Sequence, residues 1–308
     1  MISTQELFRL IKGPIAVAEP LAPYTGLRIG GTADYFIKPR DRGDLCRAFG
    51  YFRERGLPFF VLGRGSRLLV HEQGFRGTVI ATHLLDRIII DGDLVEADAG
   101  ASIRALADRV AKASLSGLED FGTGAGTVGG AICRIDGTPG REACECLEWV
   151  DILRNGRVKR LKNGELHHSM AKRGLVADVI LGAGFKLRKV SARHRHPASV
   201  HAPESGTVTS SALSARVFRD PDPNTGSERA TAGELLDACG LRGEARGGAV
   251  FSDTDANRIL NSGGASSGDV LDLVSHARET VHKRFGVELE LSLVLVGYNR
   301  NGSHVPFT

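Results

Sequence analysis

Apolar positions recur with two different periods along this chain. Over residues 41–56, Leu45, Phe49 and Phe52 fall at helical spacing, which predicts an amphipathic helix with one inward face. Gly56-Leu57-Pro58 ends it, because glycine and proline both break a helical run. The unbroken apolar run Phe59-Phe60-Val61-Leu62 predicts a buried strand that stops at Gly63. Two strand-like runs, 87–90 and 94–97, flank Asp91-Gly92-Asp93 and predict a hairpin. Asn155-Gly156 marks a second hairpin between 149–153 and 158–161. Ile103, Leu106 and Val110 predict a helix, and 179–187 a further strand. From 191 to 214 the chain turns to His, Ser, Pro and Ala and loses its period, which predicts a long connection without regular structure. Order resumes in helices over 233–239 and 267–285, the latter with Val270, Val274, Ala277 and Val281 inward, and in a last strand over 289–296. No segment repeats. Because hairpins and helices mix without strict alternation, the expected class is α+β rather than a regularly wound parallel fold.

Composition narrows the function classes. The chain has 308 residues, 42% hydrophobic and 25% charged, the profile of a globular protein of two or three domains. Its formal net charge is +4, spread over interleaved acids and bases with no run of five or six like charges. That argues against a nucleic-acid partner and leaves open an anionic small-molecule ligand or a plain polar surface. No apolar stretch reaches the ~18 residues of a membrane span, and residues 1–12 lack a signal-peptide core, so the cytoplasm is the expected compartment. Five cysteines, Cys46, Cys133, Cys144, Cys146 and Cys239, are odd in number and irregular in spacing, which favours reduced thiols over a disulfide framework. No metal is expected. Cys144-Glu-Cys146 has no second pair at finger spacing, and His167, His168, His194, His196 and His201 have no regularly placed carboxylates.

Two glycine loops carry the candidate chemistry. Gly63-Arg64-Gly65-Ser66-Arg67 directly follows a predicted strand. Glycines let the main chain approach a pyrophosphate, free N–H groups form an anion nest, and Arg64 or Arg67 supplies charge. Gly122-Thr123-Gly124-Ala125-Gly126-Thr127-Val128-Gly129-Gly130-Ala131 holds five glycines in ten residues, more than a turn requires. Neither loop is a Walker A loop, and neither has the strand–turn–helix setting of a dinucleotide fingerprint.

Taken together, the order and spacing of several segments are similar to those of the UDP-N-acetylenolpyruvoylglucosamine reductases (UDP-N-acetylmuramate dehydrogenases). These are Thr25-Gly26-Leu27-Arg28-Ile29-Gly30-Gly31, Val61 through Val70, Leu118-Glu119 leading into Gly126-Thr127-Val128-Gly129-Gly130-Ala131, Ala232 through Leu236, Gly240-Leu241-Arg242-Gly243, Gly247-Gly248-Ala249, Ala256-Asn257 and Asn261. The resemblance runs from about residue 21 to residue 297. It implies an FAD-binding fold of two α+β subdomains of the PCMH/vanillyl-alcohol-oxidase-like kind, over 1–80 and 81–190. A C-terminal α+β substrate-binding domain is implied over 191–308, and a return of the last strand to the FAD domain stays open. It further implies FAD contacts from Gly63, Arg64, Gly65, Ser66, Arg67, Thr123, Gly124, Gly126, Thr127, Gly129, Gly130 and Ile180, and substrate contacts from Arg216, Arg219 and Asn257. In the family, NADPH reduces the flavin, the flavin passes hydride to an enolpyruvyl ether on a UDP-sugar, and a protein acid delivers the proton.

Three positions depart from that pattern. The family's proton-donating serine in Gly-Ser-x-Phe-Lys-Asn-Pro falls on Arg216 within Ala215-Arg216-Val217-Phe218-Arg219-Asp220-Pro221, with Ser214 two residues earlier. A guanidinium does not give up a proton in ordinary catalysis. The glutamate of Leu-Glu-x-Glu-Val falls on Ser292, and Glu290 stands one pleat repeat, ~6–7 Å, away. The arginine of Tyr-Arg-Asp-Ser falls on Ala171, beside Lys172 and Arg173. Arg219 and Asp220 replace the family's lysine and asparagine, and Ala125 replaces a proline. The expectation is therefore an FAD protein with NADPH as the candidate donor. The expected activity is oxidoreductase chemistry altered from the family's, on a small-molecule or nucleotide-linked substrate, with Arg216 suited to an anionic one. The alternative is a non-catalytic protein that holds FAD or a nucleotide sugar, with a protein partner left open. Cys133, three residues past Gly130, is read as a packed thiol in preference to a flavin thioether.

Overall fold

A computed structural model describes residues 4–118, 126–133, 146–162, 165, 178–190, 214–221 and 230–297. The chain opens with helix α1 (Thr4–Leu10), strands β1 (Ile15–Pro20) and β2 (Thr32–Ile37), and helix α2 (Arg42–Glu54). Asp41 starts α2 by accepting the N–H of Asp44, as an N-cap should, and Leu45, Ala48, Phe49 and Phe52 are buried along its inner face. Strands β3 (Phe59–Leu62), β4 (Leu68–Val70) and β5 (Phe75–Ala81) follow. The first sheet has the order β1-β2-β5-β3, with β2 and β3 both parallel to β5. The first glycine loop fills the crossover between β3 and β5.

The second unit begins with the predicted hairpin, β6 (Ile88–Asp91) and β7 (Leu94–Asp98). After helix α3 (Ile103–Lys112), strand β8 (Leu115–Ser116) and helix α4 (Val128–Ile132) come β9 (Leu147–Arg154), β10 (Arg157–Lys162), β11 (Val179–Lys186) and β12 (Arg188–Lys189). The five-stranded sheet β10-β9-β11-β7-β6 is antiparallel throughout. Asn155 (φ 51°) and Gly156 (φ 74°) make the turn between β9 and β10, and left-handed values at both positions match the twist of the flanking strands. Leu106, Val110 and Ile132 from the helices pack against Val95, Val150 and Phe185 of the sheet. Arg42 of α2 ties this unit to the first: its Nε donates to Asp98 (2.8 Å) and its Nη1 to Asp151 (3.1 Å).

In the third unit, β13 (Ser214–Arg216), β14 (Ala245–Arg246), β15 (Ala249–Phe251) and β16 (Arg258–Asn261) form a sheet of order β13-β16-β15-β14. Helix α5 (Ala232–Ala238) and the long helix α6 (Ser267–Phe285) accompany it. Helix α6 spans the predicted residues because both ends are marked. Ser266 and Asp269 form a capping box, and Gly286 takes the left-handed conformation at φ 69° that closes the C-terminus. Its apolar stripe, with Leu273 added, lies in a core that also takes in Leu27, Ile29 and Leu69 from the first unit.

The strand predicted over 289–296 is broken. Ser292 donates its N–H to the carbonyl of Val217 (2.7 Å), whereas Val294 donates to Arg67 (2.8 Å). The segment changes partners between these residues, so one ladder cannot run through it. Only β17 (Val294–Val296) is a strand, and it pairs parallel with β4. Strand β17 thus returns to the segment that follows β3. The connection expected over 191–214 lies outside the described residues except for Ser214, which opens β13.

Candidate functional site

The turn after β3 is shaped by contacts that exclude a side chain. Gly65 sits at φ 59°, and a Cβ there would lie 1.9 Å from the carbonyl oxygen of Tyr24. Its own carbonyl accepts from the N–H groups of Gly26 and Leu68, each at 3.1 Å. The main-chain N–H groups of Arg64, Gly65 and Ser66 donate to no partner among the described residues. Successive donors left this way form an anion nest. His83, in the short turn after β5, holds the loop from behind with Nε2 2.8 Å from the carbonyl of Gly63. A carbonyl only accepts, so Nε2 carries the proton. Burial, with the charges of Lys38 and Arg64, pushes the His83 pKa down despite that bond. The His83 ring stacks on Tyr24, which stacks on Phe36 at 4.5 Å. The Tyr24 phenol donates to Glu19 at 2.7 Å and is pushed up to about 12, chiefly by that bond.

The second loop meets the first directly. A Cβ on Gly63 would lie 2.6 Å from Oγ1 of Thr127. Thr127 in turn caps α4 by accepting the N–H of Gly130 at 3.2 Å. Gly126 accepts from Ile103 (3.2 Å), and Gly129 donates to the carbonyl of Ala99 (2.8 Å), so the start of α4 is pressed onto the turn that leads into α3. Between the first and second units lies a cavity of about 450 Å³. Pro23, Tyr24, Arg64 and His83 line it from one side, and Asp86, Gly100, Ser102 and Ala105 from the other. An aromatic side chain, an arginine and a serine around one cavity, next to the loop nest, suit part of a phosphorylated aromatic ligand such as a flavin dinucleotide.

The third unit reaches the same loop from its other side. A Cβ on Gly26 would be 2.9 Å from the carbonyl of Ser66 and 3.0 Å from that of Ser214, so the start of β13 and the first loop close on this glycine. The two arginines of the loop diverge. Arg64 lines the cavity, whereas Arg67 donates from Nη1 to Oγ of Ser292 at 2.8 Å.

The remaining predicted positions sort by environment. Ser292 is only 8% exposed and engaged by Arg67. Glu290 is exposed and faces Arg219 at 3.8 Å, so it does not replace the carboxylate expected at Ser292. Arg216 is 44% exposed and lies 3.6 Å from Asp220. Asn257, expected as a substrate contact, is fully buried. Its amide accepts from the N–H of Phe218 at 2.8 Å and donates to the carbonyl of Phe218 at 3.0 Å, which makes it a brace beneath the segment that carries Arg216 and Arg219. Ile180, expected as an FAD contact, lies buried in the second unit, where it is paired with Ile152. Thr123, Gly124 and Ala171 lie outside the described residues, as do Cys144 and the five histidines discussed as metal ligands. Cys133 packs half-buried against the second core. Among the described residues no group of His, Cys, Asp and Glu could hold a metal ion, and no helix is long and apolar enough to cross a membrane. Sequence reasoning missed His83 and Arg258, since neither belongs to a motif and each gains its place only from a partner distant in sequence.

Known proteins agree with this layout. Residues 33–162 match the profile of an FAD binding domain, and residues 208–296 that of the UDP-N-acetylenolpyruvoylglucosamine reductase C-terminal domain. The UDP-N-acetylenolpyruvoylglucosamine reductase of Chloroherpeton thalassium is 35% identical over 98% of this chain and 99% of its own. That of Geobacter metallireducens is 34% identical over 93% and 95%. The crystal structure of UDP-N-acetylenolpyruvylglucosamine reductase from Thermus caldophilus superposes with a TM-score of 0.70 at 27% identity, covering 92% of this chain and 99% of that one.

Proposed function

This chain belongs to the UDP-N-acetylenolpyruvoylglucosamine reductase family, and on that premise we propose that it is an FAD-dependent oxidoreductase whose second half-reaction differs from the one its relatives are named for. The residues present fit FAD. The nest at Arg64, Gly65 and Ser66 and the Arg64 guanidinium would hold the phosphates, and the Gly63–Thr127 contact sets the spacing of the two loops around them. FAD supplies hydride transfer when bound, while the protein supplies position and charge. NADPH is the proposed donor, by kinship with the family.

One observation carries the altered chemistry. Where the family places a hydroxyl proton donor the chain has the guanidinium of Arg216, and where it places a carboxylate it has Ser292, held by the guanidinium of Arg67. A guanidinium stays charged and retains its protons near neutral pH, so Arg216 does not supply the acid step in its familiar form, and Ser292 brings no carboxyl group to its position. Cations at these places favour an acceptor that carries negative charge.

The test is an absorbance spectrum of the purified protein, followed by anaerobic NADPH and then UDP-N-acetylenolpyruvoylglucosamine. Flavin bands at roughly 370 and 450 nm, bleaching with NADPH and staying bleached on addition of the UDP-sugar, are the expected result. Rapid return of the bands with the UDP-sugar would show the family's ordinary reaction and remove the altered step. Bands unmoved by NADPH would point to a non-catalytic flavin, and absence of bands after reconstitution with FAD would overturn the assignment as a whole.

A further inference from the structure

Arg216 of β13 and Arg258 of β16 are directly opposite each other in an antiparallel pair. Opposed residues in such a pair share a face with Cβ atoms about 5 Å apart, and like charges so placed are destabilising. The fold does not ask for them: the other face, with Ala215 and Ile259, makes the buried core. Both guanidinium groups stay accessible, at 44% and 38% exposure. Each has a carboxylate close by, Asp220 at 3.6 Å and Asp255 at 3.7 Å, beyond hydrogen-bond distance. Arg258 spends Nη1 on Oγ of Ser214 at 2.9 Å, which holds its head group along β13 on the face of Arg216. Ser214 is the residue whose carbonyl closes on Gly26 and so on the first glycine loop. The two arginines therefore stand about one pleat repeat, ~6–7 Å, along the strand from that junction.

We propose that Arg216 and Arg258 form a binding site for an oxyanion, a carboxylate or phosphate group on the acceptor, beside the flavin-binding loop. The proposal rests on the FAD reading above and adds the chemical class of substrate to it. An oxyanion between the two guanidinium groups turns their repulsion into shared attraction and takes up their forked donors.

The FAD-loaded protein, Arg216→Met, Arg258→Met and the double variant would be melted at constant ionic strength in chloride, acetate or inorganic phosphate. In chloride, the double-mutant cycle is expected to show repulsion between the two arginines. Acetate or phosphate should raise the melting temperature of the parent, and each single variant should lose about tenfold in anion affinity, the worth of one charged hydrogen-bonding group. A rise with phosphate alone or acetate alone identifies which oxyanion the site takes. Attractive coupling in chloride would mark a structural ion-pair network and overturn the site, as would equal anion affinity in all four proteins. Should Arg258→Met unfold through the loss of its bond to Ser214, Arg216→Met alone decides by the same anion readout. Flavin absorbance in the same samples separates the two readings, because a loaded flavin without an anion effect removes only this proposal.

Discussion

Neutral His83 donates to the carbonyl of Gly63, and a charged ring would have to sit among Lys38 and Arg64 in a half-buried place. Tyr24, tied to Glu19, and the exposed Asp86 are the other ionisable neighbours around the cavity. The folded protein thus holds the His83 pKa below its ordinary value, which means that it favours the neutral form. The associated stability is complete above the unfolded value of ~6.5 and is lost as pH falls through the lower folded value. FAD is therefore expected to dissociate more readily only as acidification passes through that depressed folded value, where the ring gains charge and its bond to the Gly63 loop is disturbed. His83→Gln keeps an N–H donor without a titrating ring and should flatten that dependence. Flavin fluorescence against pH measures it, and identical profiles for the two proteins would exclude His83 as the cause. Nothing in the sequence pointed to this residue, because a histidine between Thr82 and Leu84 has no local signature. Arg64 and Gly65, in contrast, stand in a glycine-rich turn after a buried strand, a local pattern that marks a candidate anion loop from sequence alone.

The glycine loops show how far element-level reading extends. Their presence follows from composition, but the contact of Gly63 with Thr127 joins segments more than sixty residues apart. Gly63→Ala would push a methyl group into the Thr127 side chain that caps α4. It is expected to cost about 1–3 kcal/mol, as overpacking does, and to weaken FAD binding at least about tenfold, since 1.4 kcal/mol is a factor of ten. Thermal melting and flavin titration of the variant measure the two effects; unchanged FAD affinity would mean that the loops are not a joint cradle. Helices α2 and α6 and the two hairpins were predictable because caps, breakers and paired turn residues act within a few positions. The 289–296 strand was misjudged because its apolar residues are continuous while its partners are not. Phe218 bridges Leu291, and only three residues later β17 turns to β4.

That switch binds the whole molecule together. The third unit is separated from the first by the entire second unit in sequence, yet β17 lies beside β4, and Leu27, Ile29 and Leu69 pack into the third unit's core. Glu72 reinforces the joint by accepting from the hydroxyl of Ser267 at 2.7 Å, near the N-terminus of α6. Ending the chain after Leu293 removes the partner strand of β4 together with the bond from Val294 to Arg67. The truncated protein is expected to melt earlier than a chain ended after Gly297 and to lose FAD, because β4 follows directly from the first loop. Equal melting and equal flavin content in the two truncations would show that β17 is dispensable.

Local chemistry, readable along the chain, determined the α+β class, the capped helices, the hairpins, the glycine loops and the family to which they belong. Those features depend on periodicity and turn residues, whose effects are confined to a few neighbouring positions. Tertiary structure alone decided that Arg64 and Arg67 face different sides of one loop, that Asn257 braces Phe218, and that Arg216 meets Arg258 across two strands. Register and distant packing set those relations, and both arise from the burial of whole faces, a property that no short stretch of sequence carries by itself.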